Sequence, residues 1–226
     1  MINTAIILAA GNGTRMKSEK SKLLLQIMGK TVIERSVNAF LEISDIDEII
    51  VTVREEDVET FSNLLPDERV SFVIGGETRQ QSVKNAVDTI SESDLIIIHD
   101  GARPFISAAD IENTIRAAKD FGAAAVGVPV KDTIKIIDRD KMVVATPDRS
   151  LLFAVRTPQI FKFDMYKQAL EKAEKNKKDF TDDCQLIEYA GGKVKMIEGS
   201  YDNIKITTPD DIALAENILL QRIKRD

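Results

Sequence analysis

The sequence predicts an α/β fold: a doubly wound, mostly parallel sheet with helices on both faces and a projecting β-hairpin arm for dimerisation. Three observations lead there. Short, continuous apolar runs recur along the chain, segments with helical spacing lie between them, and several of the loops that follow the runs combine glycine with charge. Residues 1–226 read as a single domain, with the arm at about 132–146.

Thr4–Leu8 is apolar at nearly every position, as a strand covered on both faces must be. Comparable runs follow at Glu48–Val53, Val70–Ile74, Asp94–Ile98 and Ala123–Val128. Helical spacing marks Val32–Leu41, Asp57–Leu65, Gln80–Ile90 and Ala108–Lys119. The alternation breaks after Pro129. Thr133–Ile137 and Met142–Thr146 flank Asp138-Arg139-Asp140-Lys141 and read as a hairpin. A lone hairpin is marginal in water, so this one is expected to pack on something, a second subunit first of all. A polar helix is expected over Asp164–Lys175, another from Thr181, and a last strand pair around Lys193–Ile206. Thr208-Pro209-Asp210-Asp211 then opens a final helix, its acids facing the helix dipole.

Composition narrows the function. Hydrophobic residues at 43% and charged residues at 30% belong to an ordinary globular chain. A net charge of −6 argues against nucleic acid or an anionic membrane as partner, yet leaves room for a small anion held by a local cluster of cations. The single cysteine, Cys184, excludes an internal disulfide and a Cys-cluster metal site. No apolar run reaches the roughly 18 residues of a membrane span, and the N-terminus lacks a signal-peptide pattern. A cytoplasmic location is expected.

The strongest local signal is Leu8-Ala9-Ala10-Gly11-Asn12-Gly13-Thr14-Arg15-Met16, directly after the first strand. Glycines let backbone amides approach a phosphate and form an anion-binding concavity. The dinucleotide fingerprint would need a third glycine where Met16 stands, and the Gly-Lys-Ser/Thr ending of a P-loop is absent. Arg15 and Lys22 stand in their place, two cations suited to a triphosphate whose charge shifts during reaction. Gly75-Gly76-Glu77-Thr78-Arg79-Gln80-Gln81-Ser82 lies between a strand and a helix, where open α/β sheets bind ligands. In His99-Asp100-Gly101-Ala102-Arg103-Pro104, Asp100 could hold a cation or a hydroxyl, and Arg103 could fork onto a phosphate. His99, the only histidine, reads as a packed side chain rather than a base. The second half adds Asp132-Thr133-Ile134-Lys135, Arg149, Arg156-Thr157-Pro158-Gln159, Thr181-Asp182-Asp183 and Asp202-Asn203-Ile204-Lys205 at apparent strand ends. Together these suggest one site for a phosphorylated polyol and a metal–nucleotide.

Taken in order, AAGNGTRM, GGETRQQSV, HDGARPF, VKDTIK, RTPQIF, TDD and DNIKITTPDD resemble the 2-C-methyl-D-erythritol 4-phosphate cytidylyltransferases of the non-mevalonate isoprenoid pathway. The resemblance runs over essentially the whole chain. It implies a nucleotidyltransferase domain that transfers CMP from CTP to a sugar-alcohol phosphate, depends on Mg²⁺ and forms a homodimer through the arm. Arg15 and Lys22 match the cations that bind the triphosphate and stabilise the transition state. Ala9, Ala10, Gly11, Gly13, Gly76, Glu77, Arg79 and Ser82 fall on the CTP side. Asp100, Arg103, Thr133, Arg149, Thr157 and Thr181 match the sugar-phosphate side, with Thr133 and Arg149 bordering the arm and so placed to serve the partner subunit's site. Asp202 and Lys205 match positions near the metal and phosphates; with Asp100, which could hold a cation, Asp202 is a candidate for the metal, directly or through water or phosphate. One departure is visible: Lys22 has Ser21 and Leu23 as neighbours where the family commonly has Pro and Gln.

The implied chemistry agrees with the residue inventory. A phosphate nucleophile is already ionised at neutral pH and needs no general base, which suits a chain with one histidine and no nucleophile–base motif. Arg15, Lys22 and Lys205 would offset charge at the CTP α-phosphorus, while Arg103 and Arg149 hold the second phosphate in line. A ribitol-5-phosphate cytidylyltransferase is the nearest rival. Ala9-Ala10-Gly11 and Gly101-Ala102 favour the methylerythritol branch. A transferase of CMP to a molybdenum cofactor, a non-catalytic nucleotide-binding module and a dehydrogenase are more distant.

Overall fold

The computed structural model describes residues 2–11, 21–208 and 210–224. Gly13 and Arg15 of the first loop, and Pro209 before the last helix, lie outside the described residues.

The elements run β1 (Asn3–Leu8), β2 (Gln26–Ile27), β3 (Lys30–Thr31), α1 (Val32–Leu41), β4 (Glu48–Val53), α2 (Val58–Leu64), β5 (Val70–Ile74) and α3 (Arg79–Val87). They continue with β6 (Leu95–Asp100), α4 (Ala108–Phe121), β7 (Ala123–Pro129), β8 (Ile136–Ile137), β9 (Val143–Ala145), β10 (Phe153–Lys162), α5 (Phe163–Lys175), α6 (Asp183–Ala190), β11 (Lys195–Glu198) and α7 (Asp210–Ile223). Seven strands form one sheet in the order β11-β7-β10-β6-β1-β4-β5. β1 pairs in parallel with both β4 and β6, β4 with β5, and β7 with β11.

Alternation along β1 divides the core between the two faces of this sheet. Ala5 and Ile7 pack with residues of α1, α2, α4 and α7, while Ile6 packs with residues of α3, α5 and α6. Both faces are therefore helix-covered, the doubly wound arrangement expected from the runs of apolar residues. α1 begins on a reciprocal cap: Thr31 accepts the Glu34 N–H, and the Glu34 carboxylate accepts the Thr31 N–H.

Two expectations are corrected. Arg156-Thr157-Pro158-Gln159, expected as polar positions at a strand end, instead lie within β10, a ten-residue strand inside the sheet, antiparallel to both β6 and β7. Pro158 and Arg156 disguise it. The pairing with β7 shifts register between Val155 and Gln159, and proline is tolerated at such a bulge because no ladder N–H is needed there. The strand pair expected around Lys193–Ile206 is a single edge strand, β11. Beyond it the chain leaves the edge, and the Ile206 N–H bonds the Ala102 carbonyl at 2.8 Å, bringing Lys205 across the carboxyl end of β6.

Boundaries also shift where they matter. β6 extends through Asp100, two residues past the expected end, so His99 and Asp100 belong to the strand itself. α6 starts at Asp183 because Asp182 caps it, accepting the Gln185 N–H. Asp211 accepts the N–H groups of Thr207 and Thr208, which agrees with its expected part in opening the last helix.

β8 and β9 form the hairpin, in register Ile136↔Ala145 and Ile137↔Val143. Its apolar side chains are uncovered within the chain: Ile136 is 51% exposed, Met142 67% and Val144 65%. Among the described residues, no helix is long and apolar enough to cross a membrane.

Candidate active site

A cleft of about 270 Å³ opens at the carboxyl ends of β1, β4 and β6, where parallel α/β sheets bind ligands. Ala9, Ala10 and Gly11 form one wall, continuing directly from β1. Gly76, Glu77, Arg79 and Ser82 form the opposite wall. Lys22, Asp100 and Lys205 complete it. Ten positions scattered through the sequence are thus brought to one concavity.

The walls are held close by specific residues. A Cβ on Gly75 would overlap the side chain of Ala10, so only glycine lets the two loops meet. Gly101 passes β1 just as tightly, since a Cβ there would lie 2.9 Å from the Leu8 carbonyl oxygen. Ser82 orders the second loop: its hydroxyl accepts the Gly76 N–H at 3.0 Å and donates to the Thr78 carbonyl at 2.9 Å. Thr78 caps α3 by accepting the Gln81 N–H.

Asp100 is the electrostatic hub. Its buried carboxylate meets Lys205 Nζ at 2.8 Å, Arg103 Nε at 3.4 Å and Arg79 Nε at 3.7 Å. Burial alone would raise its pKa, but Lys205, Arg79 and Arg103 together outweigh burial and hold the carboxyl well below the usual range. Lys22 Nζ donates to the Ile206 carbonyl at 2.8 Å, which ties the start of the chain to the segment that carries Lys205.

Beneath the cleft the antiparallel register of β10 sets Thr157 beside His99 and Asp100. The Thr157 hydroxyl accepts the Asp100 N–H at 3.0 Å and lies 3.0 Å from His99 Nδ1. His99 Nε2 lies 3.1 Å from the Arg103 carbonyl, which can only accept, so Nε2 carries the proton and Nδ1 accepts from Thr157. This chain is satisfied by a neutral ring, and burial pulls the His99 pKa down to about 4.

A stability prediction follows from that shift. Between pH 6.5 and about 4 the unfolded chain binds a proton at His99 that the native chain refuses, so this group's contribution falls as pH falls and is constant above 6.5. By pH 5 the loss is about 2 kcal/mol. Asp100 acts lower, losing its contribution only below the ordinary carboxylate range. Because His99 is the only histidine, urea unfolding at pH 7.5 and 5.0 isolates it. A His99→Gln variant is expected to lose much of the wild-type slope. Equal losses in both proteins would contradict the assignment.

Other sequence-derived candidates lie apart from the cleft. Arg103 stands behind Asp100, with Nη1 donating to the Asn203 carbonyl at 3.0 Å. Thr157 is buried and its hydroxyl engaged, so it supports Asp100 from below. Thr133 is exposed on the arm, and Thr181 is exposed just before α6. Arg149 lines a separate groove with Lys131 and Tyr201, its Nη1 donating to the Lys131 carbonyl at 2.6 Å. The Asp202 carboxylate lies 3.7 Å from Arg222 and does not line the cleft. Sequence reading missed Tyr166 and the partner of Asp183: Asp183 meets Arg79 at 2.6 Å and accepts from the Tyr166 hydroxyl at 2.6 Å. The acidic pair at the start of α6 was a signal, but the contact itself is purely tertiary.

The cleft can hold an anion, with Lys22, Lys205 and Arg79 on its walls in a chain of net charge −6. Among the described residues that line it there is no histidine or cysteine. Cys184 is buried elsewhere, and burial pushes its thiol well above the ordinary range.

A family model described as IspD, 2-C-methyl-D-erythritol 4-phosphate cytidylyltransferase, matches residues 3–221. A protein of that name from Clostridium perfringens is 43% identical over 219 residues, covering 95% of this chain and 97% of its own. One from Caldanaerobacter subterraneus is 45% identical over 222 residues, covering 96% and 98%. The crystal structure of 4-diphosphocytidyl-2C-methyl-D-erythritol synthase from Anaerococcus prevotii superposes with a TM-score of 0.88 at 35% identity, covering 97% of this chain and 96% of that one. The 2-C-methyl-D-erythritol 4-phosphate cytidylyltransferase of Thermus thermophilus gives 0.78 at 30% identity, covering 96% and 98%.

Proposed function

The chain belongs to the 2-C-methyl-D-erythritol 4-phosphate cytidylyltransferase family, and we propose that it transfers CMP from CTP to 2-C-methyl-D-erythritol 4-phosphate, giving 4-diphosphocytidyl-2-C-methyl-D-erythritol and pyrophosphate. The observation that carries this reading is the cleft in which Lys22 and Lys205 meet the glycine-containing loops after β1 and β5. A phosphate oxygen of the acceptor attacks the α-phosphorus, the bond to the bridging oxygen breaks, and pyrophosphate leaves with that oxygen. No proton need be removed from the nucleophile, so the work of the site is orientation and charge stabilisation. Lys22 and Lys205 supply the charge, with Arg15 in the same role by family resemblance. Ala9, Ala10, Gly76, Glu77 and Ser82 receive the nucleotide.

Mg²⁺ is the cofactor we assign. A bound divalent cation would neutralise phosphate charge. Such ions commonly take one or two carboxylates plus substrate phosphates, and Asp100 is the carboxylate that fits, since it lines the cleft and stays ionised. Lys205, which now bonds this carboxylate at 2.8 Å, also lines the cleft and could turn to the nucleotide if a cation took its place on Asp100. Asp202 lies outside the residues that line the cleft, so its part would be through water or phosphate.

A homodimer through the arm is supported by the exposed Ile136, Met142 and Val144. Arg149 and Thr133 would then reach the partner's cleft, which accounts for their absence from the cleft of their own chain. Residues 1–226 are read as one nucleotidyltransferase domain with the arm as its appendage. A cytoplasmic setting fits a chain whose only cysteine is free.

Pyrophosphate release from CTP and Mg²⁺, with methylerythritol phosphate or ribitol 5-phosphate as acceptor, tests the reading. The methylerythritol acceptor is expected to react much faster. A higher kcat/KM for ribitol phosphate would overturn the acceptor, and no release with either would leave only a nucleotide-binding module.

A further inference from the structure

We propose that Asp183, backed by Tyr166, is a positioning residue for the nucleotide half of the cleft, acting by holding the guanidinium of Arg79. The inference rests on the functional reading above and gives the acidic pair at the start of α6 a role in it.

Arg79 is the first residue of α3 and stands on the cleft wall beside Glu77 and Ser82. An arginine at a helix start would ordinarily sample many rotamers. Here Nη1 lies 2.6 Å from Asp183 Oδ2, while Nε lies 3.7 Å from Asp100 Oδ1. Asp183 is only 3% exposed, and its other oxygen accepts from the Tyr166 hydroxyl, itself wholly buried. The carboxylate is therefore fixed from behind before it meets Arg79.

The backbone that carries Asp183 is fixed as well. Gln159 of β10 accepts the Cys184 N–H through Oε1, and Asp182 caps the helix. Gln80 reaches from α3 to the same region, donating to the Lys178 carbonyl and accepting the Phe180 N–H. Thr78 donates to Asp179. Three hydrogen bonds, from Thr78 and Gln80, thus bind the start of α3 to the segment that leads into α6.

The consequence is electrostatic. Without Asp183, the nearest anion to Arg79 is Asp100, which Lys205 already bonds at 2.8 Å. Arg79 would collapse onto Asp100, compete with Lys205 and withdraw from the wall that receives the nucleotide. With Asp183 in place the guanidinium is shared between two carboxylates and stays on that wall. A buried ion pair can also be merely structural, and the two roles differ in what they do to the two substrates.

Steady-state kinetics on the full chain separates them. Asp183→Asn is expected to raise KM for CTP about tenfold, the loss of one charge-assisted contact, while KM for the acceptor moves less than about twofold. Tyr166→Phe, which keeps every charge, is expected to raise KM for CTP about threefold. Because Asp183 acts through Arg79, Asp183→Asn is expected to add nothing to KM for CTP in an Arg79→Ala background. Equal changes in both KM values, or full multiplication of the two effects, would overturn the proposal. If Asp183→Asn fails to fold, an unchanged KM for CTP in Tyr166→Phe does so. Wild-type protein that releases no pyrophosphate would instead overturn the functional reading, which keeps the two failures distinct.

Discussion

Lys205→Ala and Lys22→Ala are each expected to lower kcat by roughly 10²-fold or more, because in the proposed mechanism each removes a cation that stabilises charge growing in the transition state. The expected stability cost is small and differs between them. Lys205→Ala leaves Asp100 with Arg103 at 3.4 Å and Arg79 at 3.7 Å, so the buried carboxylate keeps partners. Lys22→Ala removes the bond to the Ile206 carbonyl, a loss of about 1 kcal/mol. Arg15→Ala is expected to match them in kcat by family resemblance. Pyrophosphate release at saturating substrate, with thermal unfolding of the same preparations, checks the result. Normal turnover in either lysine variant, or collapse of stability without bound substrate, would remove it from the catalytic machinery.

Mixing two nearly inactive variants restores activity, if the arm completes the neighbouring site. Lys22 stands in the cleft of its own chain, whereas Arg149 lies in a separate groove at the base of the arm. When Lys22→Ala and Arg149→Ala chains exchange subunits, a heterodimer has one site with both lesions and one with neither. Up to about a quarter of the wild-type rate is then expected for equal random mixing, since half the dimers are mixed and half of their sites are intact. If Arg149 acts within its own chain, every site keeps one lesion and nothing returns. Proven exchange without recovery refutes the shared site, and a monomer by light scattering refutes the dimer.

Much of the sheet was legible because burial on both faces demands continuous apolar runs. β4, β5 and α1 fall on the expected residues for that reason. β10 was not legible: its proline and arginine read as loop, and only the bulge against β7 reconciles them with a strand in the sheet interior. The two β-like runs of the arm were legible as a hairpin, but their exposed apolar faces are meaningful only once the rest of the chain is seen not to cover them.

What the amino-acid order determined by itself was local: the glycines that let loops approach, the caps that start helices, and the identity of Lys22, Arg79, Asp100 and Lys205 as candidates. These follow from backbone sterics and short-range hydrogen bonding, which act between near neighbours. The tertiary structure alone decided which charges meet. Asp100 and Lys205, 105 positions apart, form a 2.8 Å ion pair because the chain after β11 crosses the end of β6. Arg79 reaches Asp183 because α3 and α6 cover the same face of the sheet. A charge carries no record of its partner along the chain; the partner is fixed by how hydrophobic burial folds the elements onto one another.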